Sequence, residues 1–473
     1  MRRTKIICTI GPASQSPEQL RALMQAGMNV ARLNFSHGAF EDHARVIRHI
    51  REQARALRRP VAILQDLPGP KIRIGTFAEG PINLERGHSF TLTCREVAGS
   101  QSEVTLPNSE VCASVKVGDS IFLDDGSVQL RVTNRTDTDI ATEVLVGGTL
   151  TSHKGVTAPG VTLAIDAITP RDIECLQFGI QQGVDWVAAS FIRSADDLRC
   201  LRAHMDAAGA RIPLIAKIEK HEAVNNIDEI IAEADAIMVA RGDLGVEVNI
   251  WEVPSIQKMI IRRCNRIGKP VITATQMLES MTHNRRPTRA EVTDVVNAIL
   301  DGTDCIMLSG ETAIGLYPVE TVEMMNDLAV TAESGIDHAS ILRRRMADQA
   351  RTVTDAIGGA TVEIAQNLNL AAILTATSSG HTARMVSRYR PKAPIIGVTT
   401  KPDTYRRLAL SWGVIPIMAP VAETIDDTLH NSFNAARDAG LVQVGDQVVL
   451  TGGMPVGQPG HTNLIRVTTV EGA

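Results

Sequence analysis

Residues 214–243 read LIAKIEKHEAVNNIDEIIAEADAIMVARGD, and this stretch decides the fold class. It contains two short apolar runs, Leu214–Glu219 and Ala236–Asp243, separated by an amphipathic segment of helical length. Short apolar strands with helical segments between them are typical of parallel sheets that are buried on both faces. The stretch therefore predicts a strand–helix–strand unit in which the two strands are neighbours.

The same alternation extends over most of the first 340 residues. Eight apolar runs recur, at Ile6–Ile10, Val30–Phe35, Val61–Leu67, Val184–Phe191, Leu214–Glu219, Ala236–Asp243, Val271–Gln276 and Cys305–Gly310. Helix starts between them carry Ser or Thr with Gln, Asp or Glu three positions later, as at Ser16, Thr169, Ser194 and Thr288. Eight strands, each followed by a helix, predict an α/β fold of the (β/α)8 TIM-barrel type.

One interval in this alternation is too long for a single helix, because more than a hundred residues separate the third run from the fourth. Segments within it alternate apolar and polar side chains, at Ser89–Glu96, Ser120–Leu123, Val128–Thr133 and Ile140–Val146, and 124–126 (Asp-Asp-Gly) suits a hairpin turn. We predict a small β-barrel lid domain inserted at residues 70–158. The catalytic barrel domain then comprises residues 1–69 and 159–340.

A separate domain is predicted at residues 341–473. Its apolar strands are Ala372–Ala376, Ile395–Thr399, Val414–Met418, Val448–Thr451 and Leu464–Thr468, and helical segments separate most of them. This pattern is typical of an open α/β domain.

Composition excludes several classes of protein. The chain has 48 Lys and Arg against 53 Asp and Glu, a net charge of -5, which argues against a nucleic-acid partner. No apolar stretch is long enough to cross a bilayer, so no membrane partner is expected. The seven cysteines form no C-x-x-C pair, which argues against a disulfide framework or a zinc site. We expect a cytoplasmic protein.

Charged side chains at the predicted strand ends indicate chemistry. Lys217 and Glu219 lie two residues apart on one strand and therefore face the same side. Asp243 lies on the next strand, so Glu219 and Asp243 can converge as oxygen ligands, which suit Mg²⁺. Beside Lys217 and Arg32, such a pair favours an anionic, phosphorylated substrate bridged by metal. A structural ion pair between Lys217 and Glu219 is the alternative interpretation.

Five longer strings resemble the pyruvate kinase family, in order and from end to end. They are Thr4–Ser14 (TKIICTIGPAS), Ala31–Gly38 (ARLNFSHG), Ala240–Glu247 (ARGDLGVE), Ala274–Met281 (ATQMLESM) and Met307–Ala313 (MLSGETA). The resemblance implies Mg²⁺-dependent phosphoryl transfer from phosphoenolpyruvate to ADP, giving pyruvate and ATP, the last step of glycolysis. It also implies a mobile lid, an allosteric C-terminal domain and a homotetramer.

The resemblance assigns roles to particular residues of this sequence. Glu219 and Asp243 resemble the ligands of Mg²⁺, for which Mn²⁺ can substitute. Lys217 and Arg32 resemble the cations on the transferring phosphoryl group, and Thr275 resembles a group near the enolate carbon. The backbone of Gly242 and Asp243 resembles a cradle for the substrate carboxylate. The implied nucleotide contacts are Asn34, Phe35, Ser36, His37, Arg73 and, from the lid, Lys154.

Lys71 departs from the family's pattern. Many members have Glu at this position and require K⁺ beside Asn34, Ser36 and Asp66, in a region that also includes Leu67. A tethered ammonium can supply the charge that K⁺ supplies elsewhere. We therefore predict turnover without K⁺; the alternative is that the Lys71 side chain points to solvent.

The second departure concerns regulation. Residues Thr377, Ser378, Ser379, Gly380, His381 and Thr382 resemble the family's effector phosphate loop, where hydroxyl and N–H groups follow a strand. Ser378 stands where some members activated by fructose 1,6-bisphosphate have Lys, and Gly452–Gly457 differs from their closing loop. A sugar or nucleotide monophosphate is the expected activator, and an effector loop that binds nothing is the alternative.

Two other functions compete with this interpretation. A barrel aldolase or lyase would also stabilise a pyruvate enolate on Mg²⁺, but it would need neither Lys217 for a phosphoryl group nor Arg73 and a lid for a nucleotide. A non-catalytic phosphosugar sensor would use the barrel as a scaffold and would not need an intact set of Lys217, Glu219, Asp243 and Thr275. It would bind ligands without turnover.

Overall fold

The structure, a computed structural model, describes residues 2–348, 352–454 and 462–471. It contains a closed barrel, an inserted β domain and a C-terminal α/β domain, as the sequence pattern predicts. Within the described residues, no helix is long and apolar enough to span a membrane.

Eight parallel strands close the barrel. They are β1 (Lys5–Thr9), β2 (Val30–Asn34) and β3 (Ala62–Asp66), and, after the insertion, β12 (Trp186–Ala189), β13 (Leu214–Ile218), β14 (Ala236–Ala240), β15 (Val271–Ala274) and β16 (Cys305–Leu308). The order around the barrel is β1-β16-β15-β14-β13-β12-β3-β2, so β12 pairs directly with β3. The predicted TIM barrel is confirmed, with the insertion between its third and fourth strands.

The first strand begins one residue earlier than the apolar pattern indicates. Lys5 belongs to β1, where it pairs with Cys305 and is buried. Its Nζ donates to the carbonyl oxygen of Val414 in the C-terminal domain, 2.7 Å away. A charged residue inside the strand is therefore accommodated by a contact between domains, which the local sequence does not show.

Alternation along the barrel strands decides which side chains reach the interior. In β13, Leu214, Ala216 and Ile218 pack in the layer between strands and helices, whereas Ile215 packs in the barrel's central core. Because side chains alternate along a strand, Lys217 and Glu219 share the inward face with Ile215. The strand therefore carries both charged groups into the mouth of the barrel.

The inserted domain has its own apolar core and two sheets. Its strands are β4 (Ile82–Leu84), β5 (Ser89–Thr93), β6 (Glu103–Thr105), β7 (Ser120–Leu123), β8 (Val128–Arg135), β9 (Asp139–Val146), β10 (Gly148–Leu150) and β11 (Val156–Thr157). The larger sheet has the order β11-β7-β8-β9-β5-β6, and β4 pairs with β10. The predicted hairpin at 124–126 joins β7 to β8, and all three of its residues have positive φ. The limits 70–158 stay a prediction.

The C-terminal domain is an open five-stranded sheet. Its strands are β17 (Ala372–Ala376), β18 (Ile395–Thr399), β19 (Val414–Met418), β20 (Gln447–Gly452) and β21 (Leu464–Thr469), in the order β19-β18-β17-β20-β21. Only β21 runs antiparallel to its neighbour. Ala409 and Leu410 join the apolar core inside the barrel, and Cys305 Sγ donates to the Leu410 carbonyl oxygen at 3.1 Å. The C-terminal domain therefore packs against the amino-terminal ends of the barrel strands.

Helices cover the barrel and both faces of the C-terminal sheet. The helices before the C-terminal sheet are α1 (Pro17–Ala26), α2 (Phe40–Ala56), α3 (Ser109–Ser114), α4 (Pro170–Gln182), α5 (Ala195–Ala207), α6 (His221–Asn225), α7 (Ile227–Glu233), α8 (Arg241–Glu247), α9 (Val253–Ile267), α10 (Arg289–Asp301), α11 (Gly310–Ala313), α12 (Pro318–Ser334), α13 (His338–Ala347) and α14 (Val353–Asn367). Those that follow are α15 (His381–Ser387), α16 (Pro402–Arg407) and α17 (Ile425–Asp438). The predicted starts at Ser16, Thr169 and Thr288 are confirmed, because each side chain accepts the backbone N–H three residues on.

Candidate functional site

The strand ends bring most of the predicted residues together at the barrel mouth. A cavity of about 80 Å³ is lined by Arg32, Asn34, Ser36, Asp66, Lys71, Lys217, Glu219, Asp243 and Thr275 among others. They come from β2, β3, β13, β14 and β15 and from the segments that follow these strands. The predicted catalytic and metal residues, and the predicted monovalent-cation residues other than Leu67, therefore share one small, charged space.

Lys217 lines this cavity and contacts several of its other residues. Its Nζ is 2.8 Å from Glu219 Oε1 and 3.3 Å from Asp66 Oδ1, and it donates to Ser190 Oγ at 2.7 Å. Burial by itself lowers the pKa of Lys217, but the carboxylates of Asp66 and Glu219 outweigh burial and raise that pKa above its usual range. Lys217 is therefore a fixed positive charge at neutral pH.

Arg32 supplies the second cation. Its Nε donates to Asp66 Oδ2 at 2.6 Å, and its Nη1 donates to Thr9 Oγ1 at 2.8 Å. Burial raises the pKa of Asp66, but Lys217 and Arg32 outweigh it and hold that pKa below its usual value. Asp66 is thus a buried anion that fixes the directions of both cations.

Glu219 and Asp243 are the paired carboxylates. Glu219 Oε2 accepts the backbone N–H of Phe191 at 2.6 Å, and Phe191 has a positive φ of 55°. Burial and then the charge of Asp243 raise the pKa of Glu219, against the opposing effect of Lys217. Two carboxylates that repel one another across a polar cavity are a donor set that fits a hard divalent cation.

Thr275 sits in a strained turn next to the predicted backbone cradle. Thr275 and Gln276 have φ values of 67° and 53°, in the left-handed region that residues other than glycine seldom adopt. Thr275 Oγ1 accepts the backbone N–H of Gly242 at 2.8 Å and donates to the Ala274 carbonyl oxygen at 2.6 Å. The Gly242 N–H, which the family resemblance assigns to a substrate carboxylate, therefore donates to Thr275 in this structure.

Two residues of the site were not identified from the sequence. Ser190 Oγ donates to the Leu67 carbonyl oxygen at 2.7 Å as well as accepting from Lys217. Arg241 holds the strained turn, because its Nη2 donates to the Thr275 carbonyl oxygen at 2.7 Å. Ser190 is a polar residue at the end of the fourth predicted strand, so the rule applied to the other strand ends would have found it. Only the tertiary contact reveals the role of Arg241.

A second, larger cavity adjoins the first. It has a volume of about 320 Å³ and lies between the barrel mouth and the inserted domain, with Arg73, Asp124 and Lys154 in its lining. Lys71, Phe191, Glu219 and Asp243 line both cavities. The two cavities are therefore contiguous at the paired carboxylates.

Four of the six predicted nucleotide residues line these two cavities, and Phe35 and His37 line neither. Arg73 Nη1 donates to the His153 carbonyl oxygen at 2.9 Å, and Lys154 Nζ lies 2.8 Å from Asp124 Oδ1. Asn34 and Ser36 line the smaller cavity. The ring of Phe35 is buried, stacked on His43 with centroids 4.1 Å apart, so only the backbone of Phe35 is available to a ligand.

Lys71 is exposed on the border of the two cavities. Burial, followed by the charges of Lys71, Arg73 and Arg32, lowers the pKa of His37, so the Lys71 ammonium acts on the same space as the two arginines. The predicted monovalent-cation residue Leu67 is buried, and its carbonyl oxygen accepts from Ser190. Among the described residues, no carboxylate forms an ion pair with the Lys71 ammonium.

The predicted effector loop lies at the start of α15. Gly380 has φ 81°, and its N–H donates to Thr377 Oγ1 at 2.9 Å. Thr382 Oγ1 lies 3.0 Å from Thr462 Oγ1, and the Ser378 carbonyl oxygen accepts from Thr404 at 2.8 Å. Residues 455–457 of the predicted closing loop lie outside the described part of the chain.

Comparison with known proteins matches the whole chain. The family model "Pyruvate kinase, barrel domain" matches residues 1–322, and "Pyruvate kinase, alpha/beta domain" matches residues 355–468. The curated pyruvate kinase of Geobacillus stearothermophilus is 51% identical over 473 residues, which are 99% of this chain and 80% of that protein. That of Bacillus licheniformis is 48% identical over 473 residues, 99% of this chain and 81% of that protein. A crystal structure of a pyruvate kinase from Cryptosporidium parvum superposes with a TM-score of 0.94 at 37% identity, covering 99% of this chain and 96% of that one.

Proposed function

The chain belongs to the pyruvate kinase family and is a phosphotransferase, and from this premise we propose that Mg²⁺-dependent transfer from phosphoenolpyruvate to ADP takes place at the barrel mouth. The observation that carries the proposal is the position of Lys217, a buried, permanently charged ammonium between Asp66 and Glu219. Phosphoryl transfer depends on positioning and on charge neutralisation more than on covalent help from the protein. A fixed cation in a small cavity serves both needs.

Lys217 and Arg32 would hold the transferring phosphoryl group from two sides. Both are already oriented by Asp66, so little reorganisation is needed when negative charge develops on the phosphoryl oxygens. The carboxylate of Asp66 is buried and held in place, because it accepts a hydrogen bond from Arg32 Nε and pairs with Lys217 Nζ. Preorganised charge in a site with little water is the strongest contribution that these residues can make.

Glu219 and Asp243 would hold the divalent cation, Mg²⁺ or Mn²⁺. The donor set fits, since it consists of carboxylate oxygens that repel one another and face a polar cavity. When bound, such a cation supplies Lewis-acid stabilisation of the enolate oxygen. Lys217 contacts Glu219 directly. The carboxylate that would bind the metal and the ammonium that would bind the phosphoryl group therefore keep a fixed position relative to each other.

Thr275 is the residue proposed to act on the enolate carbon. Its Oγ1 carries a proton that it donates to the Ala274 carbonyl oxygen, on the side of the cavity opposite Asp66 in the strand order. A hydroxyl held in this way can act as a relay: it takes up a proton from water as it passes its own to the enolate carbon, so that Thr275 ends unchanged. As the substrate binds, the Gly242 N–H would break its hydrogen bond to Thr275 Oγ1 and donate to the substrate carboxylate instead.

ADP is proposed to occupy the larger cavity. Its lining includes the cations Arg73 and Lys154, which suit the diphosphate, and its border with the smaller cavity at Glu219 and Asp243 would bring the reacting phosphates together. The contacts of Arg73 with His153, and of Lys154 with Asp124, tie both cations to the inserted domain. Movement of that domain would therefore move the nucleotide's cations.

Lys71 is proposed to replace K⁺. Its place in the lining of the smaller cavity, with Asn34, Ser36 and Asp66, supports this role. The Lys71 ammonium already acts on this space, because its charge is one of those that lower the pKa of His37. Turnover should therefore proceed in buffer without K⁺.

The test is steady-state pyruvate formation from phosphoenolpyruvate, ADP and Mg²⁺, in K⁺-free buffer and again with K⁺ added. We expect equal, fast rates in both, and no turnover by Lys217→Met in either. Rates that need K⁺ would keep the reaction and discard the role of Lys71. Binding of sugar phosphates without any pyruvate formation would instead support a sensor.

Regulation and assembly complete the proposal. A sugar or nucleotide monophosphate is proposed to bind the loop Thr377–Thr382, whose hydroxyl and N–H groups precede α15. A cytoplasmic homotetramer is proposed, and the exposed apolar pair Ile250 and Trp251, at 65% and 75% exposure, supports a subunit contact. Light scattering of the purified protein tests the tetramer; activation by a monophosphate, lost in Thr382→Val, tests the effector loop.

A further inference from the structure

Two cysteine side chains of the inserted domain contact each other at the edge of its apolar core. Cys94 follows β5, and Cys112 lies in α3, 18 positions further along the chain. Their Sγ atoms are 2.6 Å apart. The other five cysteines lie in strands and helices of the barrel. The sequence spacing carries no sign of this contact, because only folding brings α3 next to the end of β5.

Backbone groups from two further segments hold the pair in place. Cys94 Sγ lies 3.8 Å from the carbonyl oxygen of Asn108, the residue before α3, and Cys112 Sγ lies 3.8 Å from that of Thr138. The backbone N–H of Cys94 also donates to the Thr138 carbonyl oxygen at 2.7 Å. The sulfur atoms of a disulfide are about 2 Å apart, so small rotations of these two side chains suffice to form one.

The two thiols differ in access to solvent. Cys112 is fully buried, whereas Cys94 is partly exposed. Burial, followed by the hydrogen bond and the charge of Cys94, raises the pKa of Cys112 to about 12, so Cys112 is a protonated thiol at neutral pH. Oxidants react with the sulfur that they can reach. Cys94 is therefore the first to be oxidised, and Cys112 is the neighbour that can react with it afterwards.

We propose that Cys94 and Cys112 form a reversible disulfide when a peroxide oxidises Cys94. Hydrogen peroxide transfers one oxygen atom to Cys94 Sγ, its O–O bond breaks and one water molecule leaves, so that Cys94 becomes a sulfenic acid. Cys112 Sγ then attacks Cys94 Sγ: the S–S bond forms, the S–O bond breaks, and the hydroxyl group leaves as water with the Cys112 proton. The peroxide gains the two electrons that the two thiols lose. A dithiol reductant reverses the change by thiol–disulfide exchange.

The bond would fasten α3 to the sheet of the inserted domain. The helix has only 6 residues, and the side chain of its N-cap residue, Asn108, makes no capping hydrogen bond. A helix this short has few backbone hydrogen bonds and opens locally with little cost. A covalent link from Cys112 to the end of β5 restricts that opening. Neither cysteine lines the two cavities of the proposed reaction, so the proposal does not depend on that reaction.

The experiment treats the reduced, full-length protein with hydrogen peroxide after the reductant has been removed. Remaining thiols are alkylated in denaturant, and the protein is digested and mapped by mass spectrometry. We expect a peptide that contains Cys94 linked to Cys112, and its disappearance after treatment with dithiothreitol. Cys94→Ser and Cys112→Ala should each abolish this linked peptide. Cys200→Ser is the matched control, because it removes an exposed cysteine of α5 and should leave the linked peptide unchanged.

The peptide map of the unsubstituted protein is decisive by itself, so a variant that fails to fold does not weaken the test. Cys94 recovered as sulfinic acid beside an alkylated Cys112 would overturn the pairing. Recovery of both as alkylated thiols after peroxide treatment would overturn the site. A link that forms only when peroxide is added to the denatured protein would show that the folded domain does not form it, and would also overturn the proposal.

Hydrogen exchange tests the effect on α3. Amides of α3 should exchange severalfold more slowly in the oxidised protein than in the reduced protein, whereas those of α10 in the barrel should be unaffected. Cys94→Ser should show no such change when it is treated with peroxide. Equal exchange of α3 in a protein that carries the linked peptide would overturn the fastening of the helix.

Discussion

The guanidinium Nη1 of Arg241 lies 2.8 Å and 2.7 Å from the two carboxylate oxygens of Asp294. The residues are 53 positions apart and join the end of β14 to α10. With one nitrogen anchored in this way, Nη2 donates to the carbonyl oxygens of Thr275 and Gln276, at 2.7 Å and 3.3 Å. Arg241 is therefore the residue that holds the two left-handed backbone conformations beside the catalytic cavity.

Arg241→Lys should lower kcat about tenfold to hundredfold, because a lysine cannot keep both the Asp294 contact and the carbonyl contacts, and misplacement by about 1 Å can cost that much. The KM for ADP should hardly change, since Arg73 and Lys154 line the larger cavity, whereas Arg241 does not. Steady-state kinetics with each substrate varied separates these effects. Asp294→Asn is the companion variant, and a rise in the KM for ADP without a fall in kcat would contradict a positioning role.

Much of this arrangement follows from the sequence. The eight apolar runs predict the eight barrel strands, and two-residue spacing places Lys217 and Glu219 on one inward face, as found. Neighbouring strands place Asp243 close enough to act on Glu219. These inferences succeed because they depend only on periodicity and on the order of strands in a parallel barrel.

Other features depend on contacts between distant segments and have no local signal. The strained turn at Thr275 needs Arg241 and Asp294, and the burial of Lys5 needs Val414. The Phe35 ring lies in an aromatic cluster with His43 rather than in a ligand site. Side-chain direction at a strand end is set by the neighbouring elements, so sequence position alone does not determine which atoms a ligand meets.

Lys217→Met should abolish activity and also destabilise the fold. The substitution leaves the buried carboxylates of Asp66 and Glu219 without their ammonium, and removing one partner of a buried pair costs about 3 to 5 kcal/mol. Thermal unfolding should therefore move to lower temperature. Lys258→Met is the matched control: Lys258 pairs with Asp301 on the surface at 42% exposure, so its loss costs about 0 to 1 kcal/mol. An unchanged melting temperature for Lys217→Met would be inconsistent with the buried ion cluster.

Lys5 predicts an unusual pH dependence of stability. Burial, with a further contribution from Arg2, lowers the pKa of Lys5 from 10.5 to about 8, although Cys305 and Glu333 act in the opposite direction. The unfolded chain holds this proton more tightly, so below pH 8 both states are protonated and the burial cost, about 3 kcal/mol, is fully present. Between about pH 8 and pH 10.5 that cost is relieved, and this residue's contribution to stability rises with pH.

The comparison of wild type with Lys5→Met isolates this contribution. Methionine has a similar length and no charge, so it removes the burial cost at every pH. The melting temperature of Lys5→Met relative to wild type should be highest at pH 7 and should decrease as the pH rises to 10. Lys116→Met, at an exposed lysine of the inserted domain, should show a constant difference over the same range. A constant difference for Lys5→Met as well would mean that Lys5 keeps an ordinary pKa.

Lys71→Glu should create a requirement for K⁺. The substitution puts a carboxylate at the border of the two cavities, where the ammonium of Lys71 now adds its charge to those of Arg32 and Arg73. Replacing a positive by a negative charge leaves the phosphoryl groups under-neutralised until a monovalent cation binds beside Asn34 and Ser36. Activity of Lys71→Glu should fall at least tenfold in K⁺-free buffer and recover when K⁺ is added, whereas a large organic cation should not restore it.

Lys116→Glu makes the same charge change outside both cavities and should leave the rates unchanged with or without K⁺. If Lys71→Glu keeps full activity in both buffers, the Lys71 side chain points to solvent and has no role in catalysis, and another group of the cavity replaces K⁺.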